Sequence, residues 1–216
     1  VTGLKKEFPT VYLVDDDEQV LSALALSLRQ QGLRVHCCAS AAQFLGVCDA
    51  ASRGCALIDM RLPDINGLSL QAEMEARGVD MPVLFLTGYG NVKSAVQAVK
   101  QGAVDYLEKP VSADLLLARI GEALERDRRH HEQIDESRDL HARIAELTPR
   151  ERQTIQLVAA GYTNKAIARR LGISFRTVEK YRAGAIGKLN VVSPVELGEI
   201  ARLLGAETPT GNAGLG

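Results

Sequence analysis

Apolar residues along this chain fall into two rhythms. Short continuous runs such as VYLV at 11–14, ALI at 56–58 and VLFL at 83–86 are bounded by polar and turn residues, which is the pattern of buried strands. Val20, Leu21, Leu24 and Leu28 recur instead at helical spacing, with Gly32 as the stop. Up to residue 126 the rhythms alternate. Strands are expected at 10–14, 33–38, 55–58, 82–87 and 103–107, and helices at 18–31, 41–50, 66–76, 91–101 and from 113 onward. Five such units imply one doubly wound α/β domain, a five-stranded parallel sheet with helices on both faces.

Between 113 and 147 the chain holds one glycine, Gly121, and no proline. Leu115, Leu116, Ile120 and Leu124 pack the start of this stretch, and between 127 and 139 only Ile134 is apolar. Acid-before-base pairs four apart (Glu122/Arg126, Glu125/Arg129, Asp139/Arg143) favour one helix of roughly 50 Å over a flexible charged linker. At 148 the sequence TPRE combines an N-cap threonine, a proline at the first helical position and a glutamate at the third. A helix begins there and runs to Gly161. Thr163 caps a short helix, NKAIARRL, which Gly172 ends, and Ser174 caps FRTVEKYRAGAIGKL. Helix, short turn, longer basic helix is a helix-turn-helix arrangement. The chain thus reads as a domain over 1–126, a linker over 127–146, an all-α domain over 147–205 and a disordered tail over 206–216.

Charge separates the parts. The net charge is −1, yet residues 147–205 carry 10 Lys and Arg against 4 Asp and Glu, whereas 1–126 carry 12 against 16. A basic all-α segment behind an acidic one points to double-stranded DNA as its partner. At 46% hydrophobic, no run approaches a membrane span, and the first ten residues lack an apolar core of signal-peptide length, so a cytoplasmic protein without membrane contact is expected. The four cysteines (Cys37, Cys38, Cys48, Cys55) form no CxxC and read as buried reduced thiols.

The candidate chemistry lies at strand ends. The run ALI delivers Asp59, and the first strand ends in Asp15, Asp16 and Asp17. In an open parallel sheet both ends face one crevice. Three or four acids would converge there, and such a cluster calls for a hard cation, Mg²⁺. Thr87 closes the fourth strand, and Lys109 follows the fifth just before Pro110. An acid, a metal, a hydroxyl and a fixed ammonium suit a phosphoryl group.

These residues at these spacings resemble the receiver domain of two-component response regulators, a flavodoxin-like fold. The stretches LTPRER, NKAIARRL, IS and TVEKYR resemble the LuxR-type output domain of the FixJ/NarL regulators. The resemblance implies Asp59 as phospho-acceptor, with Asp15 or Asp16, Asp59 and the Arg61 backbone carbonyl holding Mg²⁺. It further implies Lys109 and Thr87 as phosphoryl contacts and Tyr106 as a switch that turns inward with Thr87. Helical spacing puts Val178, Ala185, Ile186 and Leu189 on the apolar side of the last helix, which leaves Arg176, Glu179, Lys180 and Ala183 on another face to enter a major groove, with Arg182 and Lys188 near its edges; Lys165, Thr177 and Tyr181 complete the expected DNA-binding set. A sensor histidine kinase, a homodimer formed on phosphorylation and RNA polymerase are the implied partners. The closing SPVELGEIARLLG resembles the family's subunit-pairing helix, and Val92, Val96 and Val99 would lie on the surface that phosphorylation reshapes.

Two departures stand out: Tyr181 replaces a common histidine, and Gly184 and Gly187 interrupt the basic helix, which would weaken or shift its groove contacts. Rival readings are weaker. An aspartyl-phosphate phosphohydrolase needs a second acid behind Asp59, where Arg61 stands. A phosphorylation-independent regulator would lack part of the acidic set, and a flavin site would need a phosphate loop where DDDEQ stands.

Overall fold

The computed structural model describes residues 9–88, 102–191, 196, 200 and 202–205. The expected helix at 91–101, Val92, Val96, Val99, most of the closing helix and the tail lie outside them. The chain divides into two compact units, residues 1–132 and 133–216.

In the first unit the apolar runs become strands β1 (Thr10–Val14), β2 (Arg34–Cys38), β3 (Gly54–Asp59), β4 (Val83–Thr87) and β5 (Asp105–Glu108). They form one parallel sheet in the order β2-β1-β3-β4-β5. Between them run α1 (Glu18–Gln30), α2 (Ala41–Val47) and α3 (Gly67–Ala76), and α4 (Ala113–Ala145) follows β5. Side chains alternate across each strand, so the sheet buries two separate apolar layers. Val14, Ala56, Ile58, Val83 and Phe85 meet Phe44 of α2 and Leu70 and Met74 of α3. On the opposite face Val11, Leu13, Leu57, Leu84 and Leu86 meet Leu21, Ala25 and Leu28 of α1 and Leu116, Ile120 and Ala123 of α4. Cys38, Cys48 and Cys55 are buried free thiols, which burial pushes up to about 12, 11 and 12 respectively, while Cys37 is half-buried.

Several boundaries differ from the expectation. The second helix stops at Val47 rather than 50, because Asp49 accepts hydrogen bonds from Ala51 N and the Ser52 hydroxyl, a local turn that competes with another helical turn. The last strand occupies 105–108 rather than 103–107, with Val104 N already donating to Val83 O.

The charged stretch after 113 is one helix of 33 residues. Arg129 pairs with Glu125 at 2.7 Å and Arg143 with Asp139 at 3.1 Å, as expected. Glu122 pairs with Arg119 rather than Arg126, because Arg119 also lies 2.9 Å from Asp105 and is held over Glu122. Asp127 is nearly fully buried, 3.6 Å from Arg53 Nε and 3.2 Å from His131 Nδ1. Burial pushes its carboxyl above the ordinary value against the opposing charges of His131 and Arg53.

In the second unit Thr148 caps α5 (Pro149–Ala159) with a complete capping box, Thr163 caps α6 (Asn164–Leu171), and Ser174 caps α7 (Phe175–Leu189). Gly172 closes α6 at φ 66°, making the tight turn into α7. Ile155, Ala185, Leu189, Ile144, Leu147, Ile200 and Leu204 form this unit's core.

Candidate functional sites

Sheet order reverses between β1 and β3, and in open α/β sheets the crevice beyond that switch point is where ligands bind. Asp15 follows β1 and Asp59 ends β3, so these two acids flank the crevice. Lys109 reaches them from the far side of β4. Its backbone N donates to Thr87 O at 2.7 Å, which continues the sheet by one more bond past β5 and aims the side chain inward. The ammonium donates to Asp15 Oδ2 and to Asp59 Oδ1, each at 2.7 Å. The other oxygens are held by turn amides: Asp15 Oδ1 accepts from Asp17 N at 3.0 Å, and Asp59 Oδ2 accepts from Arg61 N at 2.6 Å. Partial burial works against the Lys109 charge, but the hydrogen bonds and charges of Asp15 and Asp59 hold its ammonium above the ordinary lysine value. The Lys109–Pro110 peptide is cis.

Thr87, the buried last residue of β4, lies in register with Glu108. Tyr106 is in register with Phe85, its ring 6.5 Å from that ring, so by strand alternation Tyr106 and Thr87 lie on the same face of the sheet. Asp16 is exposed, and Asp17 serves α1 as N-cap by accepting from Gln19 N and Val20 N. Two acids therefore converge, not three or four, and among the described residues no three His, Cys, Asp or Glu side chains gather as a metal cluster. An all-oxygen pair still suits Mg²⁺, which takes one or two carboxylates and keeps several waters. Each carboxylate offers about four lone-pair sites and uses two here.

Asp64 was not singled out from sequence. Its carboxylate accepts from Ala41 N at 3.2 Å and Ala42 N at 2.8 Å, tying the loop after β3 to the start of α2. Burial opposes its charge slightly, and the backbone N–H groups of Ala42 and Ala41 outweigh it and lower its pKa.

In the second unit Val178, Ala185 and Leu189 face the core, and Arg176, Glu179, Lys180 and Ala183 are exposed together on the opposite side of α7. Lys165 of α6 is exposed as well. Thr177 and Tyr181 are half-buried, and Thr177 N donates to the Ser174 hydroxyl. Arg182 donates to Asn164 Oδ1 at 3.2 Å, binding α7 to α6. Lys188 departs most from its expected place at the groove edge: it donates to Glu151 Oε2 at 2.6 Å and to Glu146 O at 3.2 Å. Glu151 Oε2 also accepts from Thr148 N and from the Thr148 hydroxyl. A Cβ on Gly184 would lie 2.6 Å from Glu151 Oε1, so this glycine makes room for the carboxylate.

Residues 11–121 match the response regulator receiver domain, and residues 145–201 match the bacterial regulatory proteins of the luxR family. The chain belongs to the two-component response regulators. The transcriptional regulatory protein FixJ of Azorhizobium caulinodans is 43% identical over 195 residues, covering 90% of this chain and 92% of that one. The response regulator protein TmoT of Ectopseudomonas mendocina is 36% identical, with 90% and 88% covered. Among solved structures, the response regulator StyR superposes with a TM-score of 0.82 at 34% identity, covering 90% of this chain and 98% of that one. Full-length FixJ from B. japonicum gives 0.57 at 38% identity, with 91% and 97% covered. This response regulator is a phosphorylation-controlled transcriptional regulator with a receiver and a LuxR-type output domain, and its family consists of DNA-binding regulators rather than enzymes. Among the described residues no helix is long and apolar enough to cross a membrane.

Proposed function

We propose that Asp59 accepts the phosphoryl group of a sensor histidine kinase in the cytoplasm, and that the resulting acyl phosphate promotes homodimerisation and sequence-specific DNA binding. The observation that carries the assignment is the Lys109 ammonium bridging Asp15 and Asp59 at 2.7 Å each, at the sheet's switch point. An Asp59 oxygen attacks phosphorus as the bond from phosphorus to the donor's imidazole nitrogen breaks. Asp15, Asp59 and the Arg61 carbonyl, with exposed Asp16 beside them, would hold Mg²⁺, which supplies charge neutralisation for the incoming phosphoryl oxygens. Lys109 is the fixed cation for those oxygens, Thr87 donates its hydroxyl to one of them, and Tyr106 follows Thr87. The output helix α7 presents Arg176, Glu179 and Lys180 to the major groove, supported by Lys165, and the DNA-bound dimer contacts RNA polymerase. In this reading the receiver spans 1–126, the linker 127–146 and the output domain 147–205.

Incubation with Mg²⁺ and acetyl phosphate tests the first step. One base-labile acyl phosphate per chain is expected, and none on Asp59→Asn. Stoichiometric labelling of that variant elsewhere would remove Asp59 from the role.

A further inference from the structure

The groove-facing side of α7 is unevenly furnished. Arg176, Glu179 and Lys180 stand on its first six residues, and beyond them the exposed face carries only Ala183 and Gly187. The N-terminal end is therefore where this helix has side chains long enough to reach base edges, as recognition helices generally do. At its first position Phe175 is 51% exposed, although the neighbouring Ser174 and Thr177 hydroxyls are engaged with each other at 2.7 Å and with the helix cap. A single exposed apolar residue needs no explanation by itself; an aromatic ring at the reading end of a basic helix does. The exposed charges of the two helices are mostly cationic, Arg176 and Lys180 on α7 and Lys165, Arg169 and Arg170 on α6 against Glu179, which suits a polyphosphate partner better than an apolar protein surface. Phenylalanine has no donor or acceptor, and in a stacked duplex the base faces are closed to it. The one apolar group projecting into the major groove is the 5-methyl of thymine.

We propose that Phe175 reads thymine in the operator by packing its ring on the 5-methyl group. This deepens the reading of α7 as the DNA-recognition helix and rests on it.

The test begins with the full chain treated with acetyl phosphate and Mg²⁺, used to retain genomic fragments from which the operator is identified. The protein is then titrated against operator duplexes in which each thymine in turn is replaced by deoxyuridine, which deletes only the methyl. One or two positions per half-site are expected to lose about fourfold in affinity, the value of one buried methyl group. Phe175→Ala should bind the thymine and uracil duplexes equally at those positions while keeping the parent's salt dependence. Phe175→Leu, which keeps an apolar surface, should retain part of the discrimination and guards against a folding defect in the alanine variant. A parent that binds tightly but shows no methyl sensitivity overturns the proposal alone, as does a Phe175→Ala variant with the parent's ratios at every position. A variant that changes sedimentation and leaves operator affinity untouched assigns Phe175 to a protein contact and also overturns it. A parent that retains no genomic duplex removes the DNA reading of α7 and this inference with it.

Discussion

Glu151 shows how much one side chain can hold together. It completes the capping box of α5, accepts from the Thr148 hydroxyl and receives the Lys188 ammonium, all while only 8% exposed. The Lys188 hydrogen bond, outweighing the cost of burial and aided by Thr148, holds its carboxyl below the ordinary value of 4.5. A carboxylate whose folded-state pKa is depressed stabilises the fold above its unfolded value, and that contribution is lost as pH falls through the folded one. Stability of the output domain should therefore decline as pH drops below about 4.5, and Glu151→Gln should flatten that decline in acid unfolding followed by circular dichroism. Equal acid sensitivity in both proteins would show the carboxylate to be uncoupled from folding. Gly184 makes this arrangement sterically admissible. On intrinsic propensity Gly184→Ala should stabilise α7 by about 1 kcal/mol. Its Cβ would instead displace the carboxylate from the cap and from Lys188, losing about 1 kcal/mol for the cap and more for the charged hydrogen bond. A net loss of about 1–2 kcal/mol is expected, seen as a drop of several degrees in the melting temperature; a rise would mean that Glu151 has room to move. The capping box itself was legible in the sequence TPRE, but the Lys188 pairing and the room that Gly184 makes were not, because Gly184 read only as a defect in a helix. The separation of 37 positions between Glu151 and Lys188 leaves no local signal of their pairing.

Elements were far more legible than pairings. Strand runs, caps and stops are local properties, so Thr148, Thr163, Ser174 and Gly172 were each readable where they do their work. The crevice was legible for the same reason, because a strand's last residue points to where its carboxyl end opens. Its acid count was not, because Asp15, Asp16 and Asp17 are adjacent in sequence and only folding divides them among the crevice, solvent and the α1 cap. Asp127 was hidden differently: it is one acid in a charged run with nothing local to single it out, and only the folded α4 turns it inward beside Arg53. On α7 the division of labour follows from what each cation touches. Lys180 is exposed on the side of α7 proposed to enter the groove, so Lys180→Ala should narrow the affinity gap between operator and random duplex. Lys188 is bound to Glu151 and Glu146, so Lys188→Ala should lower the melting temperature and leave the salt slope of DNA binding unchanged. Filter binding across a salt series separates the two. A slope reduced by about one in Lys188→Ala would return that lysine to the phosphate-contacting class.

At the scale of the whole molecule the question is how a phosphoryl group on one unit becomes DNA affinity on the other. The modification adds up to about two negative charges beside the Lys109 ammonium, which now divides its donors between Asp15 and Asp59. On the proposed reading Lys109 and Thr87 are the groups that would respond, Thr87 through its hydroxyl, and Tyr106, on the same face of the neighbouring strand, would take the space Thr87 leaves. Tyr106 belongs to β5, from which the chain passes directly into α4, so the expected change reaches a surface that can pair with its copy in a second subunit. Pairing matters because the second half-site is then bound intramolecularly, at an effective concentration that raises overall affinity by about 10²–10⁴ without any new contact. Two recognition helices one DNA turn apart, or a multiple of it, call for an inverted-repeat operator. The phosphorylated protein should therefore sediment as a dimer and prefer the full operator to a half-site by at least about a hundredfold. The unphosphorylated protein should bind both alike. Thr87→Ala should still take up phosphate on Asp59 yet remain monomeric and bind the full operator like the unphosphorylated parent. Sedimentation velocity alongside operator titration decides it: a phosphorylated parent that stays monomeric at concentrations where it saturates the full operator excludes dimerisation as the link between the halves.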